Sequence, residues 1–311
     1  MTPDVAAGTI GIVGVGQMGS RIAAALLGTD AAVVAHDIDP VALTRASELG
    51  ADVMDTLAGL EGAGSVILSL PGPQEVLQVT SGLAALPRGA PHVIDMSTID
   101  PHTARMCART LSDAGGSYTD APVLGRPATC GSWTLPVGGN GEGVARVRDI
   151  LAPVADRILH VGEIGQGQVV KLLNNLMFGA INAVTAEALS LSRAVGMDPR
   201  VFVETVVESG AATVSNLFKD IGPRAVAGRF EPTFTLRLLN KDNLLVAEMA
   251  REVGIPLPIG SAITTLNQMA MLAGYGEEDS IAVLKFLDGL RAPESSSSDP
   301  TGPVHTRENT H

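Results

Sequence analysis

The sequence predicts an α/β first half, an all-α second half and one long helix that joins them. Short β-branched runs alternate with helical stretches over the first half, whereas the second half shows helical periodicity and no strand alternation. The joining helix follows Gly165-Gln-Gly-Gln and continues as an apolar run to about Gly196. We therefore expect an α/β domain over residues 1–164, a helical domain over 165–291, and a disordered Ser/Pro-rich tail over 292–311.

Six strands and a series of helices are predicted from these patterns. The strands are expected over residues 9–15, 32–35, 65–70, 92–96, 133–137 and 157–161. In the second half the helices include a short one over 214–220. Asp100 and Pro101 are expected to cap and open a helix after the fourth strand.

A glycine-rich turn follows the first predicted strand. It has the spacing GxGxxG between a strand and a helix. The first glycine permits a tight turn, the second lets the backbone approach a pyrophosphate, and the third lets the helix pack on the strand. The pattern predicts a Rossmann dinucleotide-binding domain, with the helix N-terminus facing the phosphates. The residues expected to contact the cofactor here are Gly14, Gly16, Gln17, Met18 and Gly19.

An acidic residue follows the second predicted strand. Asp37 lies about 18 residues past Gly19, where a carboxylate accepts hydrogen bonds from the ribose hydroxyls and repels a 2′-phosphate. We therefore expect NAD to be the preferred cofactor, with NADP possible. The alternative is that Asp37 is a turn residue that leads into Asp39-Pro40.

Proline and polar residues follow two further predicted strands. Leu70-Pro71 and Ser97-Thr98 each come at the end of a strand, and in an open α/β sheet these ends face the ligand crevice. We expect Leu70 and Pro71 to contact the cofactor. Ser97 and Thr98 are expected near the nicotinamide, with Ser97 facing the substrate.

A lysine and two amides stand near the start of the long joining helix. Lys171 and Asn175 are one turn apart and share a face, and Asn174 lies beside them. Such groups are costly to bury in an apolar helix unless they have partners. Because the helix begins where the two halves of the chain meet, we expect its first turns to line the cleft. The alternative is a solvated helix start with Lys171 in water.

Charge and composition argue against several kinds of partner. The net charge is −12, so we expect neither nucleic acid nor an anionic membrane as a partner. A small anionic substrate would have to be held by a few specific Arg or Lys side chains. The two cysteines, Cys107 and Cys130, show no metal-ligand spacing and fit a reducing cytoplasm. We expect no metal site, because neither HExxH nor clustered metal ligands occur in the sequence.

Taken in order, the motifs resemble those of the β-hydroxyacid dehydrogenase family over about residues 9–290. The matching segments are Gly14–Gly19, Asp95-Met-Ser-Thr98, Asp120-Ala-Pro-Val123, Gly165–Asn175 and Lys241-Asp242. The resemblance implies NAD(P)-dependent oxidation of a small 3-hydroxy acid, or the reverse reduction of its semialdehyde. It implies that Lys171 is the general acid/base and that Asn175 orients the substrate. It also implies that Thr98 and Lys241 contact the cofactor or the substrate.

One segment departs from the family pattern. After Asp-Ala-Pro-Val the family usually has Ser-Gly-Gly, and this chain has Leu124-Gly125-Arg126. One interpretation is that this segment binds the substrate, with a bidentate grip of Arg126 on its acid group in place of the serine contacts. The alternative is a solvent-facing loop arginine beside Pro127. The sequence leaves both open.

Two other functions use the same architecture. An imine reductase usually lacks a lysine at this helix position and prefers NADPH, so Lys171 and Asp37 argue against it. A non-catalytic nucleotide-binding module would be expected to have lost the lysine and gained basic segments. Catalysis is the favoured hypothesis.

The long joining helix has apolar residues all round. This pattern predicts burial on every side, which a domain partner alone does not easily supply. We therefore expect a homodimer or a homotetramer. The uncharged stretch over 253–276 contains two prolines and two amides, which makes it a poor membrane helix.

Overall fold

The computed structural model describes residues 8–209 and 215–290, which form one sheet with flanking helices followed by a helical bundle. The predicted disordered tail over 292–311 lies outside the described residues. The strands are β1 (Ile10–Val13), β2 (Val33–His36), β3 (Asp52–Met54), β4 (Ser65–Leu68), β5 (His92–Asp95), β6 (Ser117–Asp120), β7 (Trp133–Gly138) and β8 (Ala155–Gly162).

The eight strands form a single sheet in the order β3-β2-β1-β4-β5-β6-β7-β8. The pairs from β3 to β6 are all parallel, and their order reverses between β1 and β4. Such a reversal opens a crevice at the carboxyl ends of the strands, where ligands bind. β7 runs antiparallel to β6 and parallel to β8, so the last two strands point the opposite way.

Helices cover both faces of this sheet. They are α1 (Gln17–Leu27), α2 (Pro40–Glu48), α3 (Pro73–Ala84), α4 (Pro101–Asp113) and α5 (Gly141–Leu151). Buried aliphatic residues that alternate along the strands form one core cluster on each face; Ile12 belongs to one and Val13 to the other. Asp100 caps α4 by accepting a hydrogen bond from Thr103 N, as predicted.

The described residues from 165 onward are helical. The helices are α6 (Gln166–Ala194), α7 (Pro199–Ser209), α8 (Asn216–Val226), α9 (Leu236–Glu252), α10 (Pro258–Ala270) and α11 (Val283–Gly289). A π-helical turn over Met271–Tyr275 follows α10, and a 3₁₀ turn over Ser280–Ala282 precedes α11. The aliphatic faces of these helices enclose a third core cluster around Leu189, Ile221 and Leu284.

The predicted fold class is confirmed, but several elements differ from the expectation. Strands β3 and β6 and helices α2 and α5 were not predicted, because their sequences are short or polar. The helix expected over 214–220 continues to Val226 as α8, through Pro223. Ile221 and Ala225 are buried in the helical core, and this burial keeps the chain helical across the proline.

Among the described helices, α6 has the length and apolar composition that crossing a bilayer would require. The core helix of a folded domain meets the same criteria. In this structure α6 packs against β7, α8, α9 and α11, and its first turns carry Lys171 and Asn175.

Candidate active site

The three motif glycines of the first turn serve different purposes. Gly14 has φ +87°, and a Cβ there would clash with the Ser69 carbonyl oxygen. A Cβ on Gly19 would clash with the Gly14 carbonyl oxygen where α1 crosses β1. Gly16 has φ −66°, and a Cβ there would meet nothing within 4 Å. The fold itself therefore requires Gly14 and Gly19, whereas Gly16 leaves open the space that a dinucleotide phosphate needs.

The start of α1 and the end of β2 frame that open space. Gln17 is exposed and Met18 is half-buried, so the N-terminus of α1 faces outward with its N–H groups toward the turn. Asp37 lies just past β2, and its Oδ2 accepts a hydrogen bond of 2.8 Å from Val15 N. Its Oδ1 accepts another of 2.9 Å from Asp39 N. The carboxylate is thereby fixed beside the glycine turn, and these residues fit a dinucleotide.

A buried polar network ties the ends of β4, β5 and β6 together. Leu70 N donates to Ser97 Oγ at 2.9 Å, and Tyr118 Oη donates to Asp95 Oδ2 at 2.6 Å. Ser97 N donates to Asp95 Oδ1. Burial raises the pKa of the Asp95 carboxyl, and the hydrogen bonds from Tyr118 and Ser97 oppose that rise. Ser97 is buried and holds two strand ends together, and its expected substrate contact stays a prediction.

Two residues fasten the beginning of α6 to this strand edge, and neither was predicted to have a role. Asp120, at the end of β6, accepts hydrogen bonds from Gly165 N at 2.7 Å and Gln168 N at 3.0 Å. The fully buried Gln168 donates from Nε2 to Ser97 O at 2.9 Å and accepts from Ile99 N at 3.2 Å. The segment Gly165–Gln168 was visible as a motif, but the burial of these side chains was not.

Glycines allow this close approach. Gly165 has φ +93°, and a Cβ on Gly167 would press against the Pro136 carbonyl oxygen and the Asp120 carboxylate. The Gly-x-Gly start of α6 is therefore a packing requirement, which brings the next turn of the helix to the sheet edge.

Lys171 lies in that next turn. Its Nζ donates a hydrogen bond of 2.7 Å to Val123 O, and its side chain is half-buried. Burial lowers the pKa of Lys171; the Asp242 carboxylate opposes this shift, and the Lys241 ammonium adds to it. The solvated alternative is thus not what the structure shows, because the ammonium points at the edge of the sheet.

Two amides accompany Lys171 on α6. Asn175 is buried, and its Nδ2 donates to Asp242 Oδ2 at 2.5 Å. Asn174 is exposed, and its Nδ2 donates to Asn175 Oδ1 at 3.1 Å. The three predicted residues therefore lie together, with Asn175 held from the side by α9.

Helix α9 brings a second lysine to the same edge. Lys241 Nζ donates to Thr98 O at 2.9 Å and to Pro71 O at 3.2 Å. The same Nζ lies 2.8 Å from Oδ1 of Asp242, a carboxylate that is only 2% exposed. Asp242 belongs to a motif that is visible in the sequence, but its burial at a mid-helix position is not.

The predicted residues are therefore brought together along one edge. A continuous series of contacts runs from Asp37 through the glycine turn to Leu70, then through Ser97 and the Thr98 carbonyl to Lys241. Asp242 and Asn175 continue it onto the face of α6 that carries Lys171. A dinucleotide at the glycine turn would extend along this edge toward the Lys171 ammonium.

The departing segment forms one rim of the site. Leu124 N donates to Thr134 O at 2.9 Å and Thr134 N donates back to Leu124 O at 3.2 Å, so the backbone past β6 continues as an extended segment paired with β7. Gly125 has no room for a Cβ, which would clash with the Trp133 ring. Arg126 is partly exposed beside Pro127 and forms an ion pair, in which its Nη1 donates to Asp220 Oδ2 of α8 at 2.5 Å. Its contact with a substrate anion stays a prediction.

Comparison with known proteins agrees with this geometry. The family model for the NAD binding domain of 6-phosphogluconate dehydrogenase matches residues 9–162. The model described as NAD-binding of NADP-dependent 3-hydroxyisobutyrate dehydrogenase matches residues 165–287. Together with the glycine turn and the lysine-centred cleft, these matches define an NAD(P)-dependent oxidoreductase.

Individual relatives are similar along most of the chain. A 3-hydroxyisobutyrate dehydrogenase of Pseudomonas aeruginosa is 37% identical over 268 residues, which cover 83% of this chain and 90% of that protein. An L-threonate dehydrogenase of Cupriavidus necator is 32% identical over 91% of this chain and 97% of its own length. The solved 3-hydroxyisobutyrate dehydrogenase of Mycobacterium tuberculosis with L-serine has a TM-score of 0.82 at 28% identity, covering 90% and 99% of the two chains. The chain belongs to the β-hydroxyacid dehydrogenase family, as its motifs predicted.

The imine reductase alternative is not supported. A solved imine reductase from Pseudomonas sp. is 20% identical with a TM-score of 0.56, which shows a shared fold alone. The more similar relatives are dehydrogenases.

Because the Gly16 Cβ position is empty in the fold, Gly16→Ala is expected to weaken dinucleotide binding without unfolding the protein. We expect the Kd for NADH to rise about 10-fold or more, since the methyl group would intrude on the bound pyrophosphate. Fluorescence titration with NADH measures the affinity, and thermal unfolding measures the stability.

Gly141→Ala is the matched control, because Gly141 also lies at the start of a helix, as the first residue of α5, and has open space around its Cβ. This variant should bind NADH normally. Equal affinities of the Gly16→Ala variant and the wild type would show that the cofactor does not approach this turn.

Proposed function

We propose that the protein catalyses NAD-linked oxidation of a small 3-hydroxy acid, or reduction of the matching semialdehyde, with Lys171 as general acid/base. The observation that carries this proposal is the position of Lys171 Nζ. It is held by the Val123 carbonyl at the carboxyl edge of the sheet, on the series of contacts that begins at the glycine turn. Burial lowers its pKa, which favours the neutral amine that a general base needs.

In this mechanism Lys171 Nζ, in its neutral form, takes the proton of the substrate hydroxyl as a hydride leaves the same carbon. The bound nicotinamide supplies the hydride acceptor. In the reductive direction the Lys171 ammonium returns the proton to the oxygen that becomes the hydroxyl. Asn175 and Thr98 orient the substrate oxygen, and Asn174 lies at the outer side of the same subsite.

We propose NAD over NADP because of Asp37. Its carboxylate is fixed beside the glycine turn by Val15 N and Asp39 N. At this place it can accept hydrogen bonds from both ribose hydroxyls, whereas a 2′-phosphate would bring a second negative charge against it.

The central test is Lys171→Ala. Loss of the general acid/base is expected to lower kcat about 10²- to 10⁴-fold, while the Kd for NADH changes little, because the lysine lies at the substrate end of the cleft. Stopped-flow turnover and NADH titration measure the two quantities.

Lys219→Ala is the control, since Lys219 is an exposed lysine of α8. It should leave both quantities near those of the wild type. A near-normal kcat in the Lys171→Ala variant would rule out the proposed mechanism and leave only a nucleotide-binding protein.

We propose that Gly125 and Arg126 hold the acid group of the substrate at the rim. A guanidinium has five N–H donors, and Asp220 takes one of them through Nη1. The other donors can grip a carboxylate in two-point fashion. The names of the two relatives differ in the hydroxy acid they specify, so the acid cannot be copied from either.

Arg126→Ala is expected to raise KM for a 3-hydroxy acid about 10- to 100-fold, the size of a lost charge-assisted hydrogen bond. KM for the corresponding alcohol without the acid group should change little. Steady-state kinetics over small 3-hydroxy acids, including sulfonates and phosphonates, measures this contrast.

The variant Asp220→Asn distinguishes substrate binding by Arg126 from a purely structural role of this ion pair. If the substrate anion shares the guanidinium with Asp220, removing that carboxylate charge should lower KM for the acid. Equal effects of Arg126→Ala on the acid and the alcohol, with equal losses of stability in both variants, would show a purely structural ion pair.

We propose that a second copy of the chain covers the outer face of α6, in a homodimer that can pair further into a homotetramer in the cytoplasm. Leu173, Met177, Val184 and Leu191 are between 47% and 66% exposed. Their spacings of four, seven and seven residues place them on one face of the helix. An apolar stripe of this length is typical of a subunit interface.

Val184→Glu is therefore expected to shift the protein from dimer to monomer, because a charge at the centre of the stripe would be buried without a partner. Light scattering after size-exclusion chromatography measures the mass. Val41→Glu, at an exposed position of α2 far from the stripe, should leave the dimer intact. A monomeric wild type would contradict the proposal.

A further inference from the structure

Asp242 is a buried carboxylate whose polar partners, Asn175 and Lys241, belong to the candidate site. It lies in the middle of α9, so it caps no helix end, and it is 2% exposed. Burying an ionised carboxylate costs several kcal/mol unless other groups compensate. The compensation here comes from groups at the active site, namely Asn175 Nδ2 and Lys241 Nζ.

The two oxygens of Asp242 face different residues. Oδ2 accepts the hydrogen bond from Asn175 Nδ2. Oδ1 lies 2.8 Å from Lys241 Nζ, but this contact is ionic and lacks the angles of a hydrogen bond. A buried carboxylate oxygen that has an ion-pair partner but no hydrogen bond is incompletely satisfied as a purely structural group.

The contact with Asn175 decides the orientation of that amide. An ionised carboxylate can only accept hydrogen bonds, so the NH₂ end of Asn175 must point at Asp242. Its carbonyl oxygen then points the other way, where Asn174 Nδ2 donates to it. The orientation of the Asn175 amide, one helical turn from Lys171, is therefore set by a residue of the neighbouring helix α9.

We propose that Asp242 is a positioning residue of this site: it fixes the amide of Asn175 and, paired with Lys241, balances the charge around Lys171. The inference rests on the proposed function of Lys171. It adds that the protonation of Lys171 depends on an adjacent pair of opposite charges, which both lie in one turn of α9.

The charges around Lys171 come from two directions. Lys241 and Asp242 face it from α9, and Asp120, at the end of β6, is engaged by Gly165 N and Gln168 N at the start of α6. Burial is the largest effect and lowers the pKa of Lys171. Asp242 raises that pKa because it stabilises the ammonium form, and Lys241 lowers it by repulsion.

Removing the charge of Asp242 and removing the charge of Lys241 should therefore shift the pKa of Lys171 in opposite directions. Oxidation requires neutral Lys171, so kcat/KM for the hydroxy acid falls on the acid side as Lys171 takes up a proton. In Asp242→Asn the acid limb should move to lower pH by about one unit, and in Lys241→Gln it should move to higher pH by a similar amount.

The experiment is a pH profile of kcat/KM in the oxidative direction for the wild type, Asp242→Asn, Lys241→Gln and Glu248→Gln. Glu248→Gln removes one negative charge from an exposed position of the same helix and should leave the limb unmoved. In addition, kcat of Asp242→Asn should fall about 10-fold, since Asn175 loses its charged anchor.

An unmoved acid limb in both variants, with kcat lowered equally at every pH, would show that Asp242 only packs the helices and would overturn the inference. If Asp242→Asn fails to fold, the Lys241→Gln profile decides, because Lys241 is partly exposed. The proposed function fails separately, through an active Lys171→Ala variant. An inactive Lys171→Ala variant together with unshifted pH profiles would contradict the role of Asp242 and leave the proposed function intact.

Discussion

The attachment of α6 to the sheet is the constraint on which the rest of the site depends. Asp120 holds the first N–H groups of the helix, and Gln168 reaches back to the backbone on both sides of Thr98. Burial raises the pKa of Asp120 to about 6, against the pull of these N–H groups. A buried carboxylate that stays charged at neutral pH needs such donors. The carboxylate at the sheet edge and the N–H groups at the helix start therefore hold each other in place. This attachment fixes where α6 begins on the sheet, and Lys171 therefore lies beside the Val123 carbonyl.

Local signals were sufficient for the nucleotide half of the site. The glycine spacing, the acidic residue after the second strand and the Asp-Pro helix start each follow from interactions within a few residues. The structure gives separate physical reasons for Gly14, Gly16 and Gly19, and they agree with the roles expected from the motif. Composition alone would have placed Lys171 and Lys241 in water. The position of Lys171 where the two halves meet, together with the family resemblance, identified it as a site residue, whereas the resemblance alone identified Lys241.

What the sequence could not show depends on pairs that are distant along the chain. Asp120 lies at the end of a strand that reads Ser-Tyr-Thr-Asp and has no apolar signal. Its burial is visible only when α6 packs on it. Asp242 meets Asn175 across 67 residues, and Arg126 meets Asp220 across 94. The extension of α8 past Pro223 has the same origin, because tertiary burial there outweighs a local helix breaker.

The extended segment after β6 has a consequence for how such a protein diversifies. Its backbone pairs with β7 at Asp120 and again at Leu124, and the Val123 carbonyl that receives Lys171 lies directly before the second of these pairs. Lys171 Nζ is therefore held by a main-chain atom, which keeps its place when the neighbouring side chains change. Residues 124–126 can exchange Ser-Gly-Gly for Leu-Gly-Arg while the lysine stays put. On the proposed function, the residues that select the acid can therefore change in evolution independently of the lysine that handles its proton.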